Sequence, residues 1–176
     1  MEESKQEKIV LGGGCFWCFD AAYKLVKGVG RVEQGYAGGT LANPTYAQVC
    51  TGTTGHAEVV RVTFDPSLIK LEDIFDIFWT IHDPTTLNRQ AYDVGTEYRS
   101  IILYADESQK EIAETSKQNA QSIWNNSIVT EIKQLDAFYP AEDYQYDYEI
   151  NRPDYCNIII NPKLAKLRQK FSSLLK

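Results

Sequence analysis

A strand, a glycine turn and a helix follow one another near the start of the chain. Residues 9–11 form a short apolar run, and Gly12, Gly13 and Gly14 come directly after it. Apolar side chains then recur at the 3, 4, 3 spacing of one helix face, at positions 16, 19, 23 and 26. Because glycine lets the backbone turn sharply, this order predicts a strand that turns at once into a helix. Cys15 is then at the amino end of that helix.

Cys15 has the surroundings of a reactive thiol. The free N–H groups and the positive dipole end of a first helical turn favour an anion such as a thiolate. Helix amino termini lower the pKa of cysteine from about 8.5, so we expect a raised thiolate fraction at neutral pH. A half-buried structural cysteine is the plainer interpretation, since buried free cysteine is common. Phe16 and Trp17, which can wall a small apolar pocket, and the second thiol of Cys18 favour a functional site.

Composition indicates one acidic globular domain. The 176 residues are 43% apolar and 24% charged, which fits a single domain over 1–176 with a polar tail at 1–8. The net charge of −6 and the absence of a basic stripe argue against nucleic acid as a partner. The start of the chain lacks the apolar segment of a secretory signal, and no apolar run approaches the length of a membrane span. We therefore expect a soluble, cytoplasmic monomer with no membrane partner.

The order of elements predicts an α+β fold. Strands and helices alternate as β-α-β-β-α-β, followed by another helix and strand, and the first six elements match the split βαβ, ferredoxin-like arrangement. We expect a mixed sheet with helices packed on it. The stretch 138–156 holds five tyrosines and is predicted to be an irregular tail before a closing helix. The predicted strands are 9–11, 31–37, 57–64, 100–104 and 128–133, and the main helices before the closing one are 16–27, 71–81 and 107–124.

Glu58 falls on the apolar face of a predicted strand. From residue 57 the pattern has a period of two, which places Glu58 in phase with Val60, Val62 and Phe64. Burial disfavours the charged form of a carboxyl group, so Glu58 is able to stay protonated until a reaction needs its proton. A strand carboxylate that reaches solvent is the commoner case. Only the position of Glu58 directly after a Gly-His turn favours the functional interpretation.

Several motifs in order resemble one enzyme family. The run Gly14-Cys15-Phe16-Trp17-Cys18 is similar to the active-site signature of the A-type peptide-methionine sulfoxide reductases. The other matching blocks extend to residue 156 and are Gly35-Tyr36-Ala37-Gly38-Gly39, Gly55-His56-Ala57-Glu58, His82-Asp83-Pro84-Thr85, Asn88-Arg89-Gln90, residues 93–100 and Tyr155-Cys156.

The resemblance implies a reaction and a set of roles. It implies reduction of methionine (S)-sulfoxide, free or in proteins, through a cysteine sulfenic acid and an intramolecular disulfide that thioredoxin recycles, with no metal or organic cofactor. Cys15 is then the nucleophile and Glu58 the proton donor. In the family, residues matching Tyr36, Tyr98, Asp93 and Glu58 surround the sulfoxide oxygen, and those matching Phe16 and Trp17 hold the methyl group.

Two cysteines are candidates for resolving the sulfenic acid. Cys18 lies one helical turn from Cys15, within the Cα range a disulfide tolerates, but the helix fixes the side-chain directions. Cys156 is distant in sequence, although its segment has no periodic apolar pattern and is able to move. The tail reads Arg-Pro-Asp at 152–154, where the family form is Pro-x-Gly. Because the C-terminal cysteine commonly resolves in the family, we expect Cys156, with Cys18 as alternative or relay partner.

Three other interpretations are open on the residues alone. Cys15, Cys18, His56 and His82 would be a zinc site, but the histidines do not form a paired ligand motif. A strand followed by Cys-x-x-Cys and a helix also fits a thioredoxin-like dithiol oxidoreductase, although that class has no need of a buried acid on a distant strand. A non-enzymatic module would bind an apolar side chain with Cys15 incidental. Cys50, the remaining cysteine, is interpreted as a packing residue.

Overall fold

A six-stranded mixed sheet lies at the centre of the fold. The structure is a computed structural model and describes residues 5–176. The sheet strands are β1 (Glu7–Gly12), β2 (Val29–Ala37), β3 (Ala57–Phe64), β6 (Ile101–Tyr104), β7 (Glu131–Gln134) and β8 (Phe138–Pro140), and a separate hairpin pairs β4 (Arg89–Gln90) with β5 (Asp93–Val94).

Seven helices surround the sheet within the described residues. They are α1 (Phe16–Tyr23), α2 (Tyr46–Cys50), α3 (Leu71–Ile81), α4 (Glu107–Gln121), α5 (Tyr148–Asn151), α6 (Pro153–Tyr155) and α7 (Asn161–Phe171). Short 3-10 helices cover Thr96–Tyr98, Asp143–Asp147 and Ser172–Leu174, and a π turn covers Cys156–Ile160. Within residues 5–176, none of these helices combines the length and apolar character that a membrane crossing requires.

The strand order is β7-β6-β1-β3-β2-β8. Neighbouring strands from β6 to β8 run antiparallel, and β7 joins β6 in parallel. The predicted α+β class, with a mixed sheet and packed helices, is confirmed.

The two faces of β3 divide the core. Val60, Val62 and Phe64 lie in the larger cluster with α1 and α3, whereas Ala57 and Val59 belong to a smaller cluster on the opposite face. This alternation is the period-two pattern of the sequence, because successive side chains of a strand point to opposite faces. It places Glu58 on the helix-covered face, as predicted.

The glycine turn fixes where α1 begins. Gly14 has φ +91°, a value that side-chain-bearing residues rarely adopt. A Cβ on Gly13 would lie 2.6 Å from the ring of His82, so only glycine lets the chain pass there. The Gly14 N–H donates to the carbonyl of Tyr98 at 3.0 Å. Cys15 is consequently the N-cap of α1, as the sequence predicts.

Two predicted boundaries are wrong at the start of the chain. β1 begins at Glu7, which pairs with Phe64 of β3, so the predicted polar tail at 1–8 is wrong at its last two residues. Residues 1–4 of that tail fall outside the described part of the chain. α1 ends at Tyr23 instead of residue 27. Val26 continues the helical spacing, but it forms an isolated β-bridge with Leu175.

The predicted irregular tail is also wrong. Phe138–Pro140 pairs with β2 as an edge strand, and a 3-10 helix, α5 and α6 follow. These elements are only three to five residues long, so they leave no apolar period in the sequence. The segment 141–163, called the tail segment below, folds back across α1.

Candidate active site

A cavity of about 110 Å³ opens beside Cys15. Its walls come from the start of α1, from β3, from the chain between β5 and β6, and from the tail segment. The lining residues are Cys15, Phe16, Trp17, Tyr46, Glu58, Asp93, Tyr98, Gln145, Arg152 and Tyr155. Six of the seven residues that the sequence proposes for nucleophile, acid, oxygen contact and methyl contact meet here, and Tyr36 is the exception.

Glu58 is a buried carboxyl at the floor of this cavity. The residue is 1% exposed, and its Oε1 accepts a hydrogen bond from the Phe16 N–H at 3.3 Å. Burial raises the pKa of Glu58 to about 8, and the charges of Asp93 and Glu97 act in the same direction. The Phe16 N–H only partly offsets this rise. Glu58 is therefore protonated at neutral pH, as its position in the strand predicts.

The expected lowering of the Cys15 pKa is wrong. Burial raises the pKa of Cys15 well above the ordinary value for a thiol, and the charge that Glu58 carries once it is ionised raises that pKa further. A backbone hydrogen bond from Trp17 opposes this rise but is outweighed. The helix-terminus argument considered only the local backbone. It omitted a carboxyl group from a distant strand and the tail segment that covers the thiol.

Tyr98 and Asp93 line the cavity from the 3-10 turn Thr96–Tyr98 and from β5. Tyr98 is half-buried in a 3-10 turn, and within residues 5–176 its hydroxyl has no hydrogen-bond partner. Burial raises the pKa of the Tyr98 phenol, so the hydroxyl keeps its proton. Asp93 accepts a hydrogen bond from the Tyr155 hydroxyl at 3.0 Å through Oδ2. Both side chains are within reach of a ligand in the cavity.

Tyr36 is close to the site but its hydroxyl is engaged elsewhere. The residue pairs with Glu58 across β2 and β3, and its ring lies 5.7 Å from that of Phe16. Its hydroxyl donates to Oε1 of Glu142 in the tail segment at 3.0 Å. Glu142 also accepts from the Tyr46 N–H at 3.1 Å. A single carboxylate thus holds the Tyr36 hydroxyl and the start of α2 together.

Trp17 is held by aromatic side chains of the tail segment. Its ring stacks on Tyr148 with centroids 5.7 Å apart, and it meets Tyr155 edge-on at 5.4 Å. The Trp17 Nε1–H donates to Oε1 of Gln145 at 3.2 Å. Phe16 is fully buried beneath. The two side chains give the cavity an apolar wall with a fixed orientation.

The cysteines separate into one buried group and one exposed residue. All four are free thiols. Cys18 and Cys156 belong to one buried cluster with Tyr148 and Ile160, whereas Cys15 lies on the cavity side of α1. Cys50 is exposed at the end of α2, so its interpretation as a packing residue is wrong. Cys156 therefore shares its buried cluster with Cys18 and not with Cys15.

Both histidines make hydrogen bonds that occupy their ring nitrogens. His56 accepts from the Gly39 N–H at 3.0 Å and donates to the carbonyl of Leu41 at 2.6 Å. His82 donates to a carbonyl on α3 and accepts from Ser100 at 2.8 Å, and burial lowers its pKa to about 3. In the described part of the chain, no group of three or more His, Cys, Asp or Glu side chains is arranged to hold a metal ion.

Sequence reasoning missed four residues that line the cavity: Tyr46, Gln145, Arg152 and Tyr155. Tyr46 follows Thr45, whose capping box with Gln48 marks the start of α2, but nothing local indicates that this helix borders the site. The high tyrosine content of residues 138–156 is the sequence feature that could have indicated that the tail segment packs against the site. Tyr155 was identified only as part of a motif.

Comparisons with known proteins agree with this geometry. The family model described as peptide methionine sulfoxide reductase matches residues 7–175. A curated peptide methionine sulfoxide reductase MsrA from Paenarthrobacter aurescens is 52% identical over 168 residues, covering 94% of this chain and 97% of the relative. The crystal structure of reduced Mxr1 from Saccharomyces cerevisiae is 33% identical with a TM-score of 0.78, covering 86% of this chain and 88% of that one. Mxr1 in complex with Trx2 is also similar, at 27% identity, a TM-score of 0.59, and 82% and 87% coverage.

The raised pKa of Glu58 predicts a pH-dependent cost to stability. An unfolded glutamate titrates near pH 4.3, so the folded protein, with a pKa of about 8, binds this proton more tightly. Stability from the protonated group is full below about pH 4.3 and is lost as the pH rises to about 8. We expect the free energy of unfolding of the parent to fall relative to Glu58→Gln across this range, by up to about 1.4 kcal/mol per pH unit.

Urea unfolding at several pH values measures this difference. Glu33→Gln is the matched control, because its pairing with Arg61 lowers the pKa of Glu33 and moves its effect to acid pH. A pH-independent difference between the parent and Glu58→Gln would show that the Glu58 carboxyl is not held neutral by burial.

Proposed function

Since the chain belongs to the peptide methionine sulfoxide reductase family, we propose that it reduces methionine (S)-sulfoxide, free or in proteins, to methionine and thereby repairs oxidised proteins. The observation that carries this proposal is the pairing of a thiol with a protonated carboxyl in one small cavity. Cys15 and Glu58 both line it, and an aromatic wall faces them. Sulfoxide reduction by a thiol needs a nucleophile for sulfur, a proton for oxygen and a wall that selects the substrate.

The first step forms a bond between the sulfur of Cys15 and the substrate. We propose that Cys15 attacks the sulfoxide, the sulfur–oxygen bond to methionine breaks, and the oxygen remains on Cys15 as a sulfenic acid. Methionine leaves with the electron pair that Cys15 supplied. The single proton that the thiol loses equals the one that the sulfenic acid oxygen gains, so no other reactant is required.

Glu58 connects these two proton positions. The neutral carboxyl gives its proton to the departing oxygen, and the thiol proton of Cys15 restores it. Hydrogen bonding between the Cys15 thiol and Glu58 lowers the pKa of Glu58 slightly and supports this path. The high pKa of Cys15 means that the free protein holds a thiol, so we propose that the thiolate forms only when substrate accepts a proton from Glu58.

The walls favour one configuration at sulfur. Tyr98 and Glu58 supply hydrogen-bond donors for the oxygen, Asp93 orients this polar wall by accepting from Tyr155, and Phe16 and Trp17 take the methyl group. When the rest of the substrate extends to the mouth of the cavity and Cys15 lies behind the sulfur, one of the two configurations at the sulfoxide sulfur fits. We include Tyr36 as an oxygen contact on the condition that its hydroxyl leaves Glu142, since a phenol has only one proton to donate.

We propose a relay for the resolving thiols. The Cys18 thiol displaces water from the Cys15 sulfenic acid and forms the first disulfide. Cys156 then attacks Cys18, which releases the Cys15 thiol and leaves a Cys18–Cys156 disulfide. The supporting observation is the burial of Cys156 in one cluster with Cys18. From the sequence we expect Cys156 to resolve the sulfenic acid, with Cys18 as alternative or relay partner. The proposed relay adds the order in which the two disulfides form.

Thioredoxin is the proposed reductant. A solved complex of the yeast relative Mxr1 with Trx2 supports this choice. Two electrons from the thioredoxin dithiol return the protein disulfide to two thiols. We also propose a cytoplasmic location, since a redox-active Cys-x-x-Cys pair that thioredoxin recycles fits a compartment that keeps thiols reduced. A monomer suffices, because one chain supplies every residue of the cavity.

We propose that the residues form one domain around a ferredoxin-like split βαβ core. The antiparallel order β6-β1-β3-β2, with α1 between β1 and β2 and α3 between β3 and β6, supports this description. β7, β8 and the tail segment are then additions to that core.

Replacing Cys15 tests the proposed activity directly. Without added reductant, the parent should convert methionine (S)-sulfoxide to methionine in amounts comparable with the protein. Cys15→Ser should be slower by more than about 10²-fold, because a serine hydroxyl is a weak nucleophile at its ordinary pKa. Cys50→Ser is the matched control and should react like the parent. A Cys15→Ser activity within about tenfold of the parent would contradict the assignment of Cys15 as the nucleophile.

Glu58→Gln tests the proton donor. The variant keeps the shape but has no acidic proton, so its single-turnover rate near pH 7 should be lower by about 10²-fold or more. The ratio of the parent rate to the Glu58→Gln rate should be largest below about pH 8. It should shrink as the pH rises beyond about 8, where the Glu58 carboxyl has lost its proton. Rapid-quench measurement of methionine formed from pH 6 to about 10 follows this ratio. A constant ratio would mean that another group protonates the oxygen.

The relay predicts the yield of methionine in the absence of reductant. The parent should give two equivalents, because exchange between Cys18 and Cys156 frees Cys15 for a second turnover. Cys156→Ser should give one equivalent and a Cys15–Cys18 disulfide, found by peptide mapping. A Cys15–Cys156 disulfide as the first product in the parent would reverse the proposed order.

A further inference from the structure

A second, larger cavity continues outward from the catalytic one. Its volume is about 540 Å³, and it shares Cys15, Asp93, Arg152 and Tyr155 with the smaller cavity. The hairpin of β4 and β5 forms one side, and the tail segment with the start of α7 forms the other. A substrate whose sulfoxide reaches Cys15 therefore has its adjoining atoms in this outer groove. The inference below rests on the proposed function.

Arg152 stands at the junction of the two cavities. Its Nε and Nη2 donate to the two carboxylate oxygens of Asp154 at 3.2 and 3.3 Å, and its guanidinium lies 6.0 Å from the centre of the Tyr155 ring. These contacts orient the guanidinium but use only two of its five N–H donors. Within residues 5–176 the remaining donors, including both hydrogens of Nη1, have no hydrogen-bond partner and can reach a ligand in the groove.

Lys163 lines the same groove from α7. Within residues 5–176, its ammonium group has no ion pair with a carboxylate. The ammonium group also reaches inward, because its charge and a hydrogen bond to the Cys18 thiol both lower the pKa of Cys18 against the effect of burial. That contact uses one of its three donors, so two remain. Lysine offers three donors and no acceptor, so the ligand that fits it is an anion.

The carboxylates of the groove are already engaged. Asp154 is held by Arg152, and Asp93 accepts from Tyr155. The two cations therefore keep unused hydrogen-bond donors while the two anions have their main partners. On a chain with a net charge of −6, this places donors for an anion beside a site that otherwise has buried acids.

We propose that Arg152 and Lys163 form a carboxylate-binding subsite that recognises an acidic group next to the methionine sulfoxide. The carboxylate is the side chain of a neighbouring aspartate or glutamate in a polypeptide, or the α-carboxylate of free or C-terminal methionine sulfoxide. Both present the same anion a few bonds from the reacting sulfur. The subsite makes acidic sequence contexts the preferred substrates.

Matched peptides test this preference. Two N-acetylated, C-amidated pentapeptides each carry one methionine (S)-sulfoxide, flanked by aspartate in one and asparagine in the other. We expect the parent to show a kcat/KM about two- to fivefold higher for the aspartate peptide at low salt, the range for partly exposed charge pairs. The ratio should approach one in about 1 M sodium chloride, where charges more than about 3 Å apart are screened.

Charge-matched variants locate the subsite. Arg152→Leu with Lys163→Met should bring the ratio to about one, because both cations of the groove are gone. Lys166→Met with Arg168→Leu removes the same charge from exposed positions of α7 outside the groove and should keep the parental ratio. Circular dichroism and the unfolding midpoint confirm that each variant is folded.

A second pair of substrates separates the two sources of carboxylate. N-acetyl-methionine (S)-sulfoxide and its amide differ only in the α-carboxylate. A preference for the acid here together with none among the peptides assigns the subsite to free or C-terminal methionine sulfoxide. The reverse result assigns it to acidic side chains.

The outcomes are distinguishable from failure of the proposed function. Equal kcat/KM for every matched pair in the parent, or a parental ratio retained after loss of Arg152 and Lys163, overturns the subsite while the reductase activity stands. Reduction of none of the substrates by the parent overturns the proposed function and the subsite with it.

Discussion

Burial of the Glu58 carboxyl beside the Cys15 thiol is the constraint on which the rest of the structure depends. A carboxyl on the core face of a strand has a large desolvation cost when charged, which moves its pKa to about 8. The Phe16 N–H at the start of α1 donates a hydrogen bond to this carboxyl. The glycine turn brings that helix start against β3. A Cβ on Gly12 would meet the Glu58 carbonyl, and a Cβ on Gly13 would meet the His82 ring.

The same burial raises the pKa of the nucleophile. A thiol that is neutral in the free protein is a poor target for stray oxidants, because the thiolate is the reactive form. The cost is that the thiol needs a proton acceptor at the moment of attack. In the mechanism that we propose, Glu58 becomes that acceptor only after the sulfoxide oxygen has taken its proton, so the substrate links Cys15 to Glu58.

Local patterns predicted the parts of the site that local structure determines. The position of Cys15 follows from the glycine turn, and the burial of Glu58 follows from the alternation along β3. The tail segment could not be predicted in this way. Gln145 reaches Trp17 across 128 residues of sequence, and Glu142 reaches Tyr36 across 106, and neither contact leaves a periodic signal. The Cys15 pKa was predicted with the wrong sign because these long-range contacts bury the thiol.

The tail segment contacts both the proposed substrate wall and the proposed resolving cysteines. Tyr148 stacks on Trp17 and its hydroxyl donates to the buried Asp20 at 2.9 Å, while its carbonyl accepts a contact from the Cys156 thiol at 3.7 Å. One residue therefore touches the wall that we propose for the methyl group, the core of α1 and the proposed relay cysteine. Under the proposed relay, any displacement of Cys156 during disulfide exchange would act on Tyr148, and through it on the ring of Trp17. Because close-packed interiors transmit strain, the proposed relay would shift the wall that contacts the methyl group.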